Sequence, residues 1–364
     1  MKKIFLLTVL LFGLLFAFGD INAQLITDSN NVVLEEATGT WCGYCPCGHE
    51  FVAQILAAHP KSVVILYHGP PNYGSPVDPW AATGYPVIQL MGMTSYPTAV
   101  IGRSSGIISR SAWVGQANYQ ATIAPNVKIE VINQTLNVAT RTINATINAT
   151  ALVNLTDTYN IYYVITENNL VMPQNFYASC GTAGVHNDYV HGHVSKALVN
   201  GTTGELLTST PWNLNTVLTK QLTYTIPAGI DLANMDLNII IYKVGTPYPT
   251  GAPVQNAMKI PSSLFTPTGI GSIEKVPSKY NLEQNYPNPF NPTTNIRFSV
   301  PKDGNATLKI YDVRGNEVAT YLNSYIKAGS YNAPFDGSNL SSGVYYYRLS
   351  AGDFSDTKKM MLIK

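Results

Sequence analysis

Three of the chain's four cysteines fall within six residues, in "GTWCGYCPCGHE" from Gly39 to Glu50. Two cysteines separated by two residues can close a small disulfide at a helix start. Backbone N–H groups and the helix dipole there favour a thiolate. That spacing makes Cys42 the exposed attacking thiol and Cys45, one turn further in, the buried resolving thiol. Pro46 lacks an N–H and is expected to kink or restart the helix. The same residues admit two other uses. Cys42–Cys45 can be a purely structural disulfide in an exported protein. Cys42, Cys45, Cys47 and His49 can form a metal clip, because positions 42, 45 and 49 share one helix face. No second Cys-x-x-Cys pair exists to complete a zinc site, so the redox use is favoured. Cys47 can pair only with Cys180 outside the couple, or both stay free. Spacing alone does not choose, since four cysteines allow three pairings.

A second cluster holds His186, His191 and His193. On one strand His191 and His193 would point the same way. Three histidines can hold zinc or copper, with Asp188 nearby but unplaced. A polar strand face is the preferred reading, and neither a metal nor a cofactor is called for. No Gly-rich phosphate loop, Gly-x-Ser-x-Gly or His-Glu-x-x-His pattern occurs.

The surrounding elements must place these residues. Val32–Leu34 reads as a short strand leading into the cysteines. Pro46–Ala58 has helical spacing of Phe51, Ile55 and Leu56. Ser62–Tyr67 and Thr98–Ile101 read as strands, and Ser109–Thr122 as a helix. Trp80–Met91 is expected to be helical only in part, interrupted by Gly84 and Pro86. This order predicts an α/β domain over residues 24–125. From residue 126 the period changes to two, predicting a central antiparallel β-sandwich over 126–262. Residues 263–279 are rich in Pro, Ser, Gly and Thr and read as a linker. Residues 280–364 alternate as a small C-terminal β-sandwich.

Charged residues make up only 12% of the 364 residues, and the net charge is +1. Nucleic-acid and anionic-membrane partners would require a basic patch and are not expected. Residues 1–23 read as a signal peptide: Met1-Lys2-Lys3, an apolar run Ile4–Phe18, then Ile21-Asn22-Ala23. No later stretch is long and apolar enough to span a bilayer, so the mature chain is expected to lack a transmembrane segment.

Three resemblances sharpen this reading. The C-terminal segments "NYPNPFNPTTNIRFSVP", "LKIYDVRGNEV", "AGSYNAPFDGSNLSSGVYYYRL" and "KKMMLIK" resemble the type A sorting domain of the type IX secretion system. Phe335 stands where that family usually carries Trp. The resemblance implies a Bacteroidetes-type bacterium, recognition of residues 280–364 by the type IX machinery, and delivery to the cell surface or medium through the periplasm. Trp41 before the couple, with the order strand, Cys-x-x-Cys helix, strand, Pro-strand and helix, resembles a thioredoxin-like domain. That likeness implies that Glu36 is a buried acid serving Cys45 and that Pro97 is a cis-proline shaping the substrate groove. The stretches "EEATGTWCGYCPCG" and "NDYVHGHVSKALVNGTTGE" resemble the outer membrane protein 28 family, which joins such a domain to a β-rich half. The leading expectation is a surface-delivered thiol–disulfide oxidoreductase acting on protein thiols or disulfides. Its rival is a non-catalytic surface or adhesion protein whose thioredoxin-like domain is a scaffold. A metal-binding surface protein is a third reading.

Overall fold

The computed structural model describes residues 25–27, 29–268, 277–338 and 340–364. The expected signal peptide and residues 269–276 of the expected linker lie outside the described residues.

Strand Val33–Thr38 is buried at every position although it carries Glu35 and Glu36. It pairs in parallel with Val63–His68 and antiparallel with Thr98–Ile101. Helix Cys45–Ala58 makes the crossover between the first two strands. It begins at Cys45 with Pro46 in its first turn, so of the two expected effects of that proline the helix starts there and is not kinked. The first N–H groups of a helix have no internal partner, and the missing donor of Pro46 costs nothing there. The expected break at Pro86 is also absent: Ala81–Met91 is one helix with that proline inside. Ala81, Gly84, Val87, Ile88 and Met91 are buried along it, and this apolar stripe outweighs the local preference.

One nine-stranded sheet runs across residues 125/126, the expected domain boundary. Val194–Leu198 pairs in parallel with Val63–His68 through Val194 and Leu66. On its other side it pairs with Tyr159–Glu167, followed by Met235–Lys243 and Val254–Pro261. One face of this sheet carries a continuous core from Val33, Ile65 and Tyr67 to Tyr162, Ile240 and Tyr242, covered by helix Ala81–Met91. Its other face divides. Helices Cys45–Ala58 and Trp113–Ala121 cover the first part, around Leu34, Val64 and Leu66. A second sheet containing Val127–Asn137, Thr142–Ala151 and Val217–Thr225 covers the rest.

The C-terminal unit is a sandwich around Ile296, Phe298, Leu308, Leu322, Tyr347 and Leu349. The hairpin formed by Leu170–Phe176 and Gly184–His191 joins one of its sheets. Asn332 of Gly329–Asp336 pairs with Leu170, and the Tyr321 hydroxyl donates to the Val171 carbonyl at 2.9 Å. The root of this hairpin therefore belongs to the C-terminal sandwich, while its tip reaches the cysteines.

Candidate thiol–disulfide site

Two disulfides meet at the start of helix Cys45–Ala58. Cys42 and Cys45 are bonded, with Cα atoms 5.4 Å apart. Cys47 and Cys180 are bonded across 133 residues, with Cα atoms 5.1 Å apart. All four cysteines are thus paired.

The turn before the helix closes through its own backbone. The Cys42 N–H donates to Gly39 O and the Cys45 N–H to Cys42 O, at 3.0 and 3.1 Å. Cys42 was expected to be exposed, but only 5% of its surface is accessible. The hairpin tip explains the difference. Gln174 Nε2 donates to Gly39 O and Cys42 O at 3.2 and 3.0 Å. Asn175 donates through its backbone N–H to Thr40 O and through Nδ2 to Trp41 O. Tyr177 N–H donates to Gly43 O at 2.9 Å, and its ring lies so close that a Cβ on Gly43 would sit 2.6 Å away.

Trp41 is held between Tyr73 and Tyr96, with ring centroids at 4.6 and 5.1 Å. The Tyr96–Pro97 bond is cis, and the Pro97 ring packs against Gly48, three residues after Cys45. Glu36 has no exposed surface, and neither carboxyl oxygen has a hydrogen-bond partner. Burial raises its carboxyl well above the ordinary range; the Thr38 hydroxyl offsets this only in part, without reaching hydrogen-bond geometry. His49 Nε2 lies 3.6 Å from Glu36 Oε1 and 3.2 Å from Thr38 Oγ1. His49 Nδ1 lies 2.6 Å from the Tyr189 hydroxyl. Burial, with smaller contributions from His68 and His193, lowers His49 to about 3, so the ring stays neutral.

The expected histidine face does not form. The strand ends at His191, and His193 has a φ of 55°, which turns it off the strand. His186 donates or accepts nothing toward the other two; its Nε2 bonds the Thr182 carbonyl at 2.7 Å. His191 instead packs between Trp80, Tyr189 and His68, with ring centroids at 5.0, 4.8 and 5.9 Å. His68 Nδ1 bonds Asp78 Oδ2 at 2.7 Å. Among the described residues, no three His, Cys, Asp or Glu side chains converge as a metal set.

Residues 284–364 match the family described as the secretion system C-terminal sorting domain, and residues 86–252 match outer membrane protein Omp28. The chain thus carries an Omp28-like region followed by a type IX sorting domain. It is a secreted or outer-membrane surface protein. Among the described residues, no helix is long and apolar enough to cross a membrane. The solved structure of HBP35 of Porphyromonas gingivalis is similar over 93% of this chain and 99% of its own, at 16% identity and a TM-score of 0.53. Latent PorU from Porphyromonas gingivalis covers 65% of this chain and 20% of its own, at 15% identity and a TM-score of 0.20. No curated protein matches this sequence. The HBP35 likeness is one of fold alone.

Neither the Omp28-like region nor the sorting domain includes residues 39–50. Sequence reasoning missed Gln174, Tyr177 and Tyr189, which cover the turn or buttress His49. It weighed His49 only as a metal ligand. One signal was available: two adjacent acids inside the otherwise apolar "VVLEEA" imply that each needs an explanation. At Phe335 the family's usual aromatic character is kept, since the ring is 5% exposed and faces Phe290 and Tyr321.

Proposed function

We propose that the chain is a surface-delivered thiol–disulfide exchange protein whose residues 24–125 act as a thioredoxin-like domain joined to a β-domain over 126–262. The observation that carries this reading is the Cys42–Cys45 disulfide at the head of a helix that buries Cys45, Pro46 and Gly48 in its first turns. A partner thiolate attacks Cys42 Sγ and the Cys42–Cys45 bond breaks. Cys45 leaves as a thiolate and takes a proton from the Glu36 carboxyl, which burial keeps protonated. The partner's second thiolate attacks the partner's own sulfur in the mixed disulfide and releases Cys42 as a thiolate; Cys42 and Glu36 each then take up one of the two protons the partner dithiol gave to solvent. The partner dithiol becomes a disulfide, and the chain's pair becomes two thiols. Pro97, packed on Gly48, shapes the groove that a substrate would occupy. An extracellular location lacks an obvious reductant, which favours oxidation or isomerisation of protein thiols.

A second reading rests on the 5% exposure of Cys42. In it the pair is a structural staple and the β-domain binds a partner. Refolding of reduced RNase and reduction of insulin separate the two. Exchange activity at least ~10-fold above Cys42→Ser is expected for the parent chain. Equal, background rates in both chains would favour the staple.

A further inference from the structure

The Cys42–Cys45 pair is not the disulfide that solvent reaches most easily. Cys45 has no exposed surface and Cys42 has 5%, whereas Cys47 is partly exposed on the same helix. Cys47 is bonded to Cys180, in the short turn Ala178–Cys180 at the hairpin tip. That tip is what covers Cys42. Gln174, Asn175 and Tyr177 together bond the carbonyls of Gly39, Thr40, Trp41, Cys42 and Gly43. Five consecutive carbonyls of the cysteine turn are therefore occupied by one segment. Tyr44 and Tyr177 close the edge, with ring centroids 4.7 Å apart.

The two ends of the hairpin are held differently. Its root shares sheet pairing and core with the sorting domain, through Leu170, Val171 and Tyr321. Its tip is held by hydrogen bonds, the Tyr177 ring and one covalent link. Just past that link, Gly181 has a φ of 139° and Gly184 of 121°, conformations that glycine holds without strain. A rearrangement of the tip would turn at Gly181 and break the Gly184–Phe176 end of the ladder, while the root at Leu170 and Val171 stays paired.

We propose that Cys47–Cys180 is a second thiol-exchange site and that it locks a lid over Cys42–Cys45. Its substrate is a dithiol, on a protein or a small molecule. A thiolate attacks Cys47 Sγ, the Cys47–Cys180 bond breaks, and Cys180 leaves as a thiolate that takes a proton. The reductant's second thiolate attacks its own sulfur in the mixed disulfide. Cys47 is released and takes the second proton, and the reductant becomes a disulfide. Two electrons have passed to the lock. The Gln174–Gly181 segment is then held by non-covalent contacts alone, and Cys42 opens to a partner. The lid rests on the proposed exchange role of Cys42–Cys45 for its purpose, but not for its order of events.

The test uses the full mature chain and dithiothreitol as the probe. Limiting dithiothreitol followed by maleimide labelling and peptide mass mapping gives the order in which the pairs open. Labelling of Cys47 and Cys180 before Cys42 and Cys45 is expected. In the variant carrying Cys47→Ala and Cys180→Ala, the Cys42–Cys45 pair should open at least ~10-fold faster than in the parent. Tyr177→Ala, which leaves all four cysteines in place, should accelerate it in the same direction and by less. Cys42 labelled first in the parent, or equal rates of Cys42–Cys45 opening in all three chains, would overturn the lid. If the order holds but the opened variants still fail to refold RNase, the lid stands and the proposed exchange function falls.

Discussion

Glu35 and Glu36 are neighbours on one strand, and both have 0% exposed surface, yet they sit in opposite chemical situations. Successive side chains of a strand point to opposite faces of a sheet. Glu35 faces the core under helix Ala81–Met91, where Arg103 grips it with Nε and Nη2 at 2.7 and 2.8 Å. The Tyr67 hydroxyl donates to the same carboxylate at 3.1 Å. Tyr162, Tyr242 and Tyr248 surround the guanidinium, with ring centroids 5.2, 4.5 and 4.9 Å away. Glu36 faces the cysteine helix and has no cation beside it, only the neutral His49 ring 3.6 Å away and the partial help of the Thr38 hydroxyl. One acid is satisfied by a cation and is part of the scaffold. The other is buried without a hydrogen bond, and a proton is its cheapest companion. Burial alone thus says little about role; what each carboxylate meets decides it.

The largest effect should come from breaking the satisfied face. Arg103→Met leaves Glu35 charged and buried, and denaturant unfolding should show a loss of about 3–5 kcal/mol. Adding Glu35→Leu to that variant should recover much of the loss, because the pair as a unit contributes less than either uncompensated charge costs. If Arg103→Met alone is neutral, Glu35 is not held in the way described. Thiol exchange per folded molecule should be unchanged in both variants, since neither residue touches the cysteine face.

Glu36→Gln should behave in the opposite sense. The folded pKa of Glu36 is raised, so its stabilising contribution is complete below the unfolded value near 4.5 and is lost as pH rises through the folded value. In that window the parent loses up to about 1.4 kcal/mol of stability per pH unit from this group, and Gln removes the loss. The difference between the two chains should therefore grow in favour of Gln as pH rises from about 4.5. Comparing chains at each pH cancels the buried histidines, which titrate in both. A difference that is flat with pH would show that Glu36 ionises normally. Slower release of Cys45 in the Gln variant would tie the same proton to exchange.

The elements around this contrast could be read from residues alone, the contrast itself could not, and the unread part has a common cause. The Cys-x-x-Cys turn, its flanking strand and helix, and the β-rich remainder follow from local spacing and period. The sorting segment carries its own long motif. The partners did not show. Arg103 lies 68 residues from Glu35, and Gln174 lies 132 residues from Cys42. Contacts at such separations leave no periodic trace, so the lid and the scaffold ion pair emerge only when the chain is folded. His191 and His193 failed for a local reason: a left-handed φ at His193 ends the alternation that the pair seemed to continue.

The smallest test sharpens the Glu36 face without touching a charge. Thr38 is fully buried, and its hydroxyl lies 3.2 Å from His49 Nε2. Thr38→Val keeps the branched shape that suits a strand and removes only the hydroxyl. The loss of one buried hydrogen bond should cost about 0.5–1.5 kcal/mol by denaturant unfolding. The hydroxyl also pulls the Glu36 carboxyl partly back toward its ordinary range. Without it the folded pKa of Glu36 should rise further, and the pH window in which Gln outperforms Glu at position 36 should extend upward. Measured on Thr38→Val and on Thr38→Val with Glu36→Gln, an unmoved window would mean that Thr38 serves His49 alone and that burial by itself sets the proton on Glu36.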